Sequence, residues 1–255
     1  MAAKAGKAIA VIAHEFFELW VYLAATPLAG LTLTLVMYAA GWWSYVRCGM
    51  HPLANPVLIA VTLIVPILIA TRTSYETYFA GAQFVHFLLG PAVVGLAVPL
   101  ARAWPSVRRL AVPIAGALAV GMTVAAVSVV GLAKLLGASP MTVLSLAPKS
   151  VTAPIAMGIA QEIGGSPALA AVFAVATGIL GASLGKYVLN ACRVRDWRAR
   201  GFALGLGAHG IGTARAFQVN AEAGAFASLA FALHGMLAAI LFPLGFWLWA
   251  LRAGS

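Results

Sequence analysis

Between Met141 and Ile159 the chain holds an apolar run long enough to cross a bilayer, yet its middle reads Ala147-Pro148-Lys149-Ser150-Val151-Thr152-Ala153-Pro154. Proline removes a backbone donor and collides with the preceding helical turn, so no unbroken helix is expected through Pro148 and Pro154. Non-helical backbone persists at membrane depth only when it is buried in protein or lines a water-filled cavity. A lysine at that depth costs about 2.5 to 3.5 kcal/mol on insertion scales, so it needs a partner or a task. The stretch predicts a broken transmembrane element whose helix ends and lysine face a polar site.

Similar apolar blocks recur along the chain, at Pro27–Val46, Pro52–Ala70, Phe84–Ala101, Leu110–Leu136, Met141–Ala160, Ser166–Leu189, Gly201–Phe217 and Gly224–Leu251. With 63% hydrophobic and 9% charged residues, and a mean hydropathy of +0.99, the fold class is an all-α polytopic membrane protein. About eight membrane segments are expected, several of them discontinuous or re-entrant. The short alternating segments of a β-barrel are absent from the sequence. The net charge of +10 is explained by arginine-rich cytoplasmic loops, without nucleic acid. Cys48 and Cys192 flank such loops and suggest neither a disulfide framework nor a metal site. Residues 1–26, with Ile9, Ile12, Phe16, Leu19 and Leu23 on one stripe, read as an amphipathic or interfacial segment.

Loop charge sets the orientation. Arg102, Arg108 and Arg109 in one loop, and Arg193, Arg195, Arg198 and Arg200 in another, both read as cytoplasmic, as does the loop at Arg47. Three full crossings between the first two loops would put them on opposite sides. The fifth segment is therefore expected to enter and leave on one side as a hairpin. The third and seventh segments then run in opposite senses and share small residues, Gly90-Pro91-Ala92-Val93-Val94-Gly95 beside His209-Gly210-Ile211-Gly212-Thr213-Ala214. Broken helices of opposite sense mark inverted-repeat transporters. The repeats are placed at about 27–136 and 138–251.

The candidate binding residues follow from these breaks. Lys149, Ser150 and Thr152 come from the fifth segment; His209, Gly210, Gly212, Thr213 and Arg215 come from a glycine-rich stretch of the seventh. Asn55 precedes the break at Pro56, and Pro91, Pro148 and Pro154 mark the others. Arginine pairs both oxygens of a carboxylate, and helix N-termini favour negative charge, so the expected ligand is an anion. Blander readings stand beside these. Lys149 could form an ion pair with Glu162 or Glu222, Arg215 could reach the membrane surface, and His209 could bond a backbone carbonyl. The hydroxyls could bond their own helices, and Asn55 could be a plain cap. His86 and His234 are read as packed, Thr71–Gln83 as an interfacial turn, and Gly178, Gly181, Ala182 and Gly185 as helix-crossing residues. No metalloprotease, CxxC or phosphate-loop motif is present, so no enzyme activity, catalytic residue, cofactor or metal is expected.

At Leu53-Ala54-Asn55-Pro56, Gly90-Pro91-Ala92-Val93-Val94, Pro148-Lys149-Ser150-Val151-Thr152-Ala153-Pro154-Ile155-Ala156, His209-Gly210-Ile211-Gly212-Thr213-Ala214-Arg215-Ala216 and Glu222-Ala223-Gly224-Ala225-Phe226-Ala227-Ser228-Leu229-Ala230 the chain resembles the LrgB/CidB family of bacterial membrane proteins. The resemblance covers roughly Pro27 to the C-terminus, making 27–255 an LrgB-like membrane transport domain; it departs at Gly210 and Ala227, where the family pattern has alanine and serine. It implies one of two functions. Bacterial members are described as holin/antiholin-like regulators of murein hydrolase activity and lysis, acting with a small LrgA/CidA-type membrane partner. Plant relatives resemble plastidial glycolate/glycerate translocators, and some bacterial ones are linked to pyruvate. A basic, broken-helix site suits the second: a secondary transporter of small monocarboxylates working by alternating access, with His209 the candidate for proton coupling. A multi-pass protein of the bacterial inner (plasma) membrane is implied, and by analogy with inverted-repeat transporters a homodimer.

Overall fold

The computed structural model describes residues 27–88, 91, 94–95 and 97–253; the amphipathic segment expected at 1–26 lies outside them, as do Gly90, Ala92 and Val93 of the expected third break. The chain divides into two compact units, at Val94/Gly95.

The first unit contains α1 (Pro27–Arg47), α2 (Pro56–Ala70) and α3 (Tyr75–Phe87). Asn55 starts α2: its side-chain oxygen accepts from the N–H groups of Val57 at 2.9 Å and Leu58 at 3.3 Å, and Pro56 follows where a missing donor costs nothing. The segment expected as a turn from Thr71 to Gln83 is helical from Tyr75 onward. Ser74 Oγ accepts from Thr77 N–H at 3.2 Å, and Glu76 sits in the first turn, where the helix dipole favours an acid. Tyr78 from this helix meets Thr34 of α1, hydroxyl to hydroxyl at 2.7 Å.

The second unit opens with α4 (Ala97–Arg109), which corrects the loop expected there. This helix is amphipathic: Val107 is buried against Phe226 and Leu229, while Arg102, Arg108 and Arg109 are exposed. Among the described residues, three helices are long and apolar enough to cross a bilayer, not the eight expected: α5 (Ala111–Leu135), α8 (Pro167–Ala191) and α10 (Ala221–Ala253).

Two shorter pieces lie between these long helices. The break read from Pro148 and Pro154 is present: α6 (Pro140–Leu146) has 7 residues and α7 (Ala153–Glu162) has 10, so neither can cross about 30 Å of hydrocarbon. Ser166 N–H donates to Ser145 Oγ at 2.7 Å, so the chain that leaves at Ser145 is back beside it 21 residues later. This excursion is the first hairpin, with Pro148–Thr152 at its tip. Ser145 is fully buried. Replacing it with alanine strands the Ser166 N–H, a loss of about 1 to 3 kcal/mol. A Ser145→Ala variant should melt correspondingly lower in detergent, and an unchanged melt would show that this clasp is idle.

The seventh segment was expected to cross as a helix broken in its glycine-rich stretch. Instead α9 (Trp197–Val219) is folded at Ala208–His209, where His209 takes φ +40° and ψ −131°. Its second arm runs back along the first: a Cβ on Gly212 would lie 2.5 Å from the carbonyl oxygen of Leu204 and 2.6 Å from Ala208 Cβ. Only a glycine permits that approach. Each arm is about 15 Å long, half a membrane. This is the second hairpin.

Asp196 starts it, accepting from the N–H groups of Arg198 at 2.8 Å and Ala199 at 3.2 Å and from the Arg198 guanidinium at 2.7 Å. Chiefly that guanidinium, and then the two N–H groups, hold the Asp196 carboxyl at about 2. A depressed carboxyl contributes its stability fully above the ordinary aspartate value, about 3.9, and loses it as pH falls through about 2. The melting difference between native protein and Asp196→Ala, worth about 1 kcal/mol at pH 5, should therefore shrink as pH approaches 2. A pH-independent difference would contradict this assignment.

A single extended residue, Asn220, joins the second hairpin to α10, and its side chain caps that helix by accepting from Ala223 N–H at 3.0 Å. The first arm and α10 then lie side by side in the same direction: Gly201 packs on Ala223 and Gly205 on Ala227, small residues four apart on both helices.

Candidate functional site

The two hairpins hang from opposite ends of α8. The first closes at Ser166, just before Pro167, and the second opens at Trp197, just after the turn that follows Ala191. Their tips meet near the middle of the long helices. His209 Nε2 is 2.9 Å from the carbonyl oxygen of Ala174 on α8, and its ring lies where a Cβ on Gly178 would be, 2.7 Å from Cε1. Ala174 belongs to the same buried cluster as Val151 from the tip of the first hairpin and Ala156 from its returning arm. On α10, His234 Nδ1 is 2.9 Å from the carbonyl oxygen of Leu206 in the second hairpin. Its neighbour Gly235 faces Ile155, in the first turn of α7. Residues 234 and 235 thus touch both hairpins.

Lys149 stands at the first tip, half-buried, and donates from Nζ to Ser150 Oγ at 3.2 Å. Lys149 and His209 both lie near His234. Among the described residues no carboxylate pairs with Lys149, and Glu222 lies 4.0 Å from Arg198. Glu162, the other partner considered, is exposed. A cation with two imidazoles at the centre of an apolar bundle, and no acid beside it, is an arrangement that favours an incoming anion.

Backbone groups point the same way. Ser139, Ser166, Asn55 and Asp196 all cap their helices with a side chain, but Thr152, at the start of α7, makes no capping bond. The positive end of the α7 dipole is left open beside Lys149, and the second arm of α9 begins at Gly210 beside His209. His209 is 5% exposed and holds a positive φ that few residues other than glycine adopt; such strain collects at working sites.

The remaining sequence candidates separate. Thr213 is buried and donates to the His209 carbonyl at 2.8 Å, so it steadies the tip. Gly212 lets the arms touch, and Gly210 has open space around it. Asn55 is in the first unit, where it caps α2. Arg215 lies six residues beyond His209, about 9 Å down the returning arm, where it shares a cavity with Lys186 and Arg200. His234, read from sequence as packed, is buried and bonds the Leu206 carbonyl beside the hairpin tips. A histidine midway along a span-length apolar helix was the signal for it.

The LrgB-like family model matches residues 34–248. Among curated relatives, YxaC of Bacillus subtilis is 36% identical over 86% of this chain and 94% of its own length, and YwbG of the same organism is 34% identical over 82% and 93%. The holin-like protein CidB of Staphylococcus epidermidis is 32% identical over 76% of this chain and 84% of its own. No solved structure matches. The hairpin tips lie inside the matched region, and the chain is a membrane protein of the LrgB-like family.

Proposed function

We propose that the chain is a secondary transporter of small monocarboxylates such as glycolate, glycerate or pyruvate, working by alternating access. The observation that carries this reading is the meeting of two half-membrane hairpins, from opposite ends of α8, around Lys149, His209 and His234. In this scheme Lys149 supplies the charge that holds the carboxylate. The open N-terminus of α7, with Thr152 and Ser150, orients it, and the imidazoles bind it or carry a proton. An order of long helix, hairpin, long helix, hairpin, long helix supports the arginines of α4 and those of 193–200 lying on one side of the membrane. That agrees with a cytoplasmic location for both, in the plasma membrane of a bacterium. It further suggests inverted repeats of one long helix plus one hairpin, 111–162 and 167–219, in place of the division expected from sequence.

Purified protein in liposomes should take up radiolabelled glycolate or pyruvate saturably, and faster with an inward proton gradient. Absence of saturable uptake of any two- or three-carbon acid would remove this reading; a response to substrate without one to pH would remove only the proton. A second reading is favoured by the relatives called holin-like: a regulator of lysis, working with a small LrgA/CidA-type membrane partner. It predicts non-saturable leakage of neutral dyes from the same liposomes, alone or with that partner present.

A further inference from the structure

A second cationic cavity lies away from the hairpin tips, and its existence does not depend on the transport reading. It measures about 140 Å³ and is bounded by the last turns of α8, the outer ends of both arms of α9 and the start of α10. Lys186, Arg200 and Arg215 line it from three separate stretches of chain, with Trp197 and Leu204 as apolar walls. No acidic side chain lines it. The acids at this end, Asp196 and Glu222, lie at 2.7 and 4.0 Å from Arg198. Three like charges gathered around one hollow repel one another unless something negative sits among them.

One of the three is held in place in advance. The Arg200 guanidinium stacks over the Trp197 ring at 5.4 Å and donates from Nη1 to Asn190 Oδ1 at 2.9 Å and the Val194 carbonyl at 2.7 Å. Such anchoring limits the side-chain freedom lost when a ligand arrives, and leaves the other nitrogens of the fork for an acceptor. Arg215 approaches from the opposite arm, with Nη1 donating to Gln218 Oε1 at 3.4 Å. Lys186, exposed, provides a mobile third charge. Planar guanidinium groups from two sides suit the oxygens of one carboxylate or phosphate group.

We propose that Lys186, Arg200 and Arg215 form an oxyanion-binding pocket at the root of the second hairpin, distinct from the site around Lys149. The oxyanion has two possible sources, a small soluble anion or the phosphate of an anionic lipid.

The test is a thermal-shift titration of purified full-length protein in a neutral detergent. Its probes are inorganic phosphate, glycolate and a short-chain phosphatidylglycerol, with the matching phosphatidylcholine as control. It is run on native protein, on Lys149→Gln and, in the Lys149→Gln background, on Lys186→Gln and the double variant Lys186→Gln/Arg215→Gln. At least one anionic probe should stabilise both native protein and Lys149→Gln. Binding should weaken about tenfold in Lys186→Gln and become undetectable in the double variant. Stabilisation by phosphate or glycolate assigns a soluble anion, and stabilisation by phosphatidylglycerol alone assigns a lipid headgroup. If the double variant does not fold, Lys186→Gln decides alone, since its side chain is exposed. No stabilisation by any anionic probe, stabilisation untouched by these substitutions, or stabilisation lost in Lys149→Gln would overturn the pocket. Failure of transport in liposomes would leave this result intact.

Discussion

Lys149→Gln should lower saturable carboxylate uptake into liposomes by about 10- to 100-fold, the worth of a hydrogen bond to a charged group. The protein should stay folded. The expectation of unharmed stability comes from what surrounds the amine: it donates to Ser150 Oγ and pairs with no carboxylate among the described residues. Neutralising a half-buried cation of that kind relieves desolvation without stranding an acid. Activity and melting temperature should therefore part company, with uptake falling and the melt holding or rising. A melt that drops together with uptake would make Lys149 a structural residue and leave the central site without its main anion ligand.

A large effect on the fold is expected at Gly212. Valine there must place a branched Cβ where Leu204 O is 2.5 Å away and Ala208 Cβ is 2.6 Å away, both fixed to the first arm. No side-chain rotation relieves a collision with backbone, so the arms must separate. The loss should lie at or above the upper end of overpacking costs, about 3 kcal/mol, with poor membrane yield as the visible result. Gly210, two residues earlier, is the internal control. Nothing lies within 4 Å of a Cβ added there, so Gly210→Ala should melt at or above the native temperature. If both substitutions were equally harmless, the second hairpin would not be packed as described.

The sequence disclosed its breaks more readily than its path. Pro148 and Pro154, six residues apart, disfavour a continuous helix on steric grounds, so the first interruption was readable from residue types alone. A break near His209 was readable too, from the glycines around it, but the folding back at Ala208–His209 was not. It depends on a left-handed backbone at a histidine and on Gly212 meeting Leu204, neighbours that only the folded chain supplies. Arg215 was grouped with His209 because the two are near in sequence; the hairpin sends them to different depths. His234 was read as packed and is buried; its bond to the Leu206 carbonyl of α9 is a contact that only the folded chain supplies. Helix 75–87 was hidden by aromatic and polar residues that suit an interface equally well.

The one-residue link at Asn220 has a mechanical consequence. A residue spans at most about 3.5 Å, so the returning arm has almost no slack before it pulls on the neighbouring long helix. Arm and long helix must shift as one body, geared together, and a flexible insert at that joint should let them slip independently.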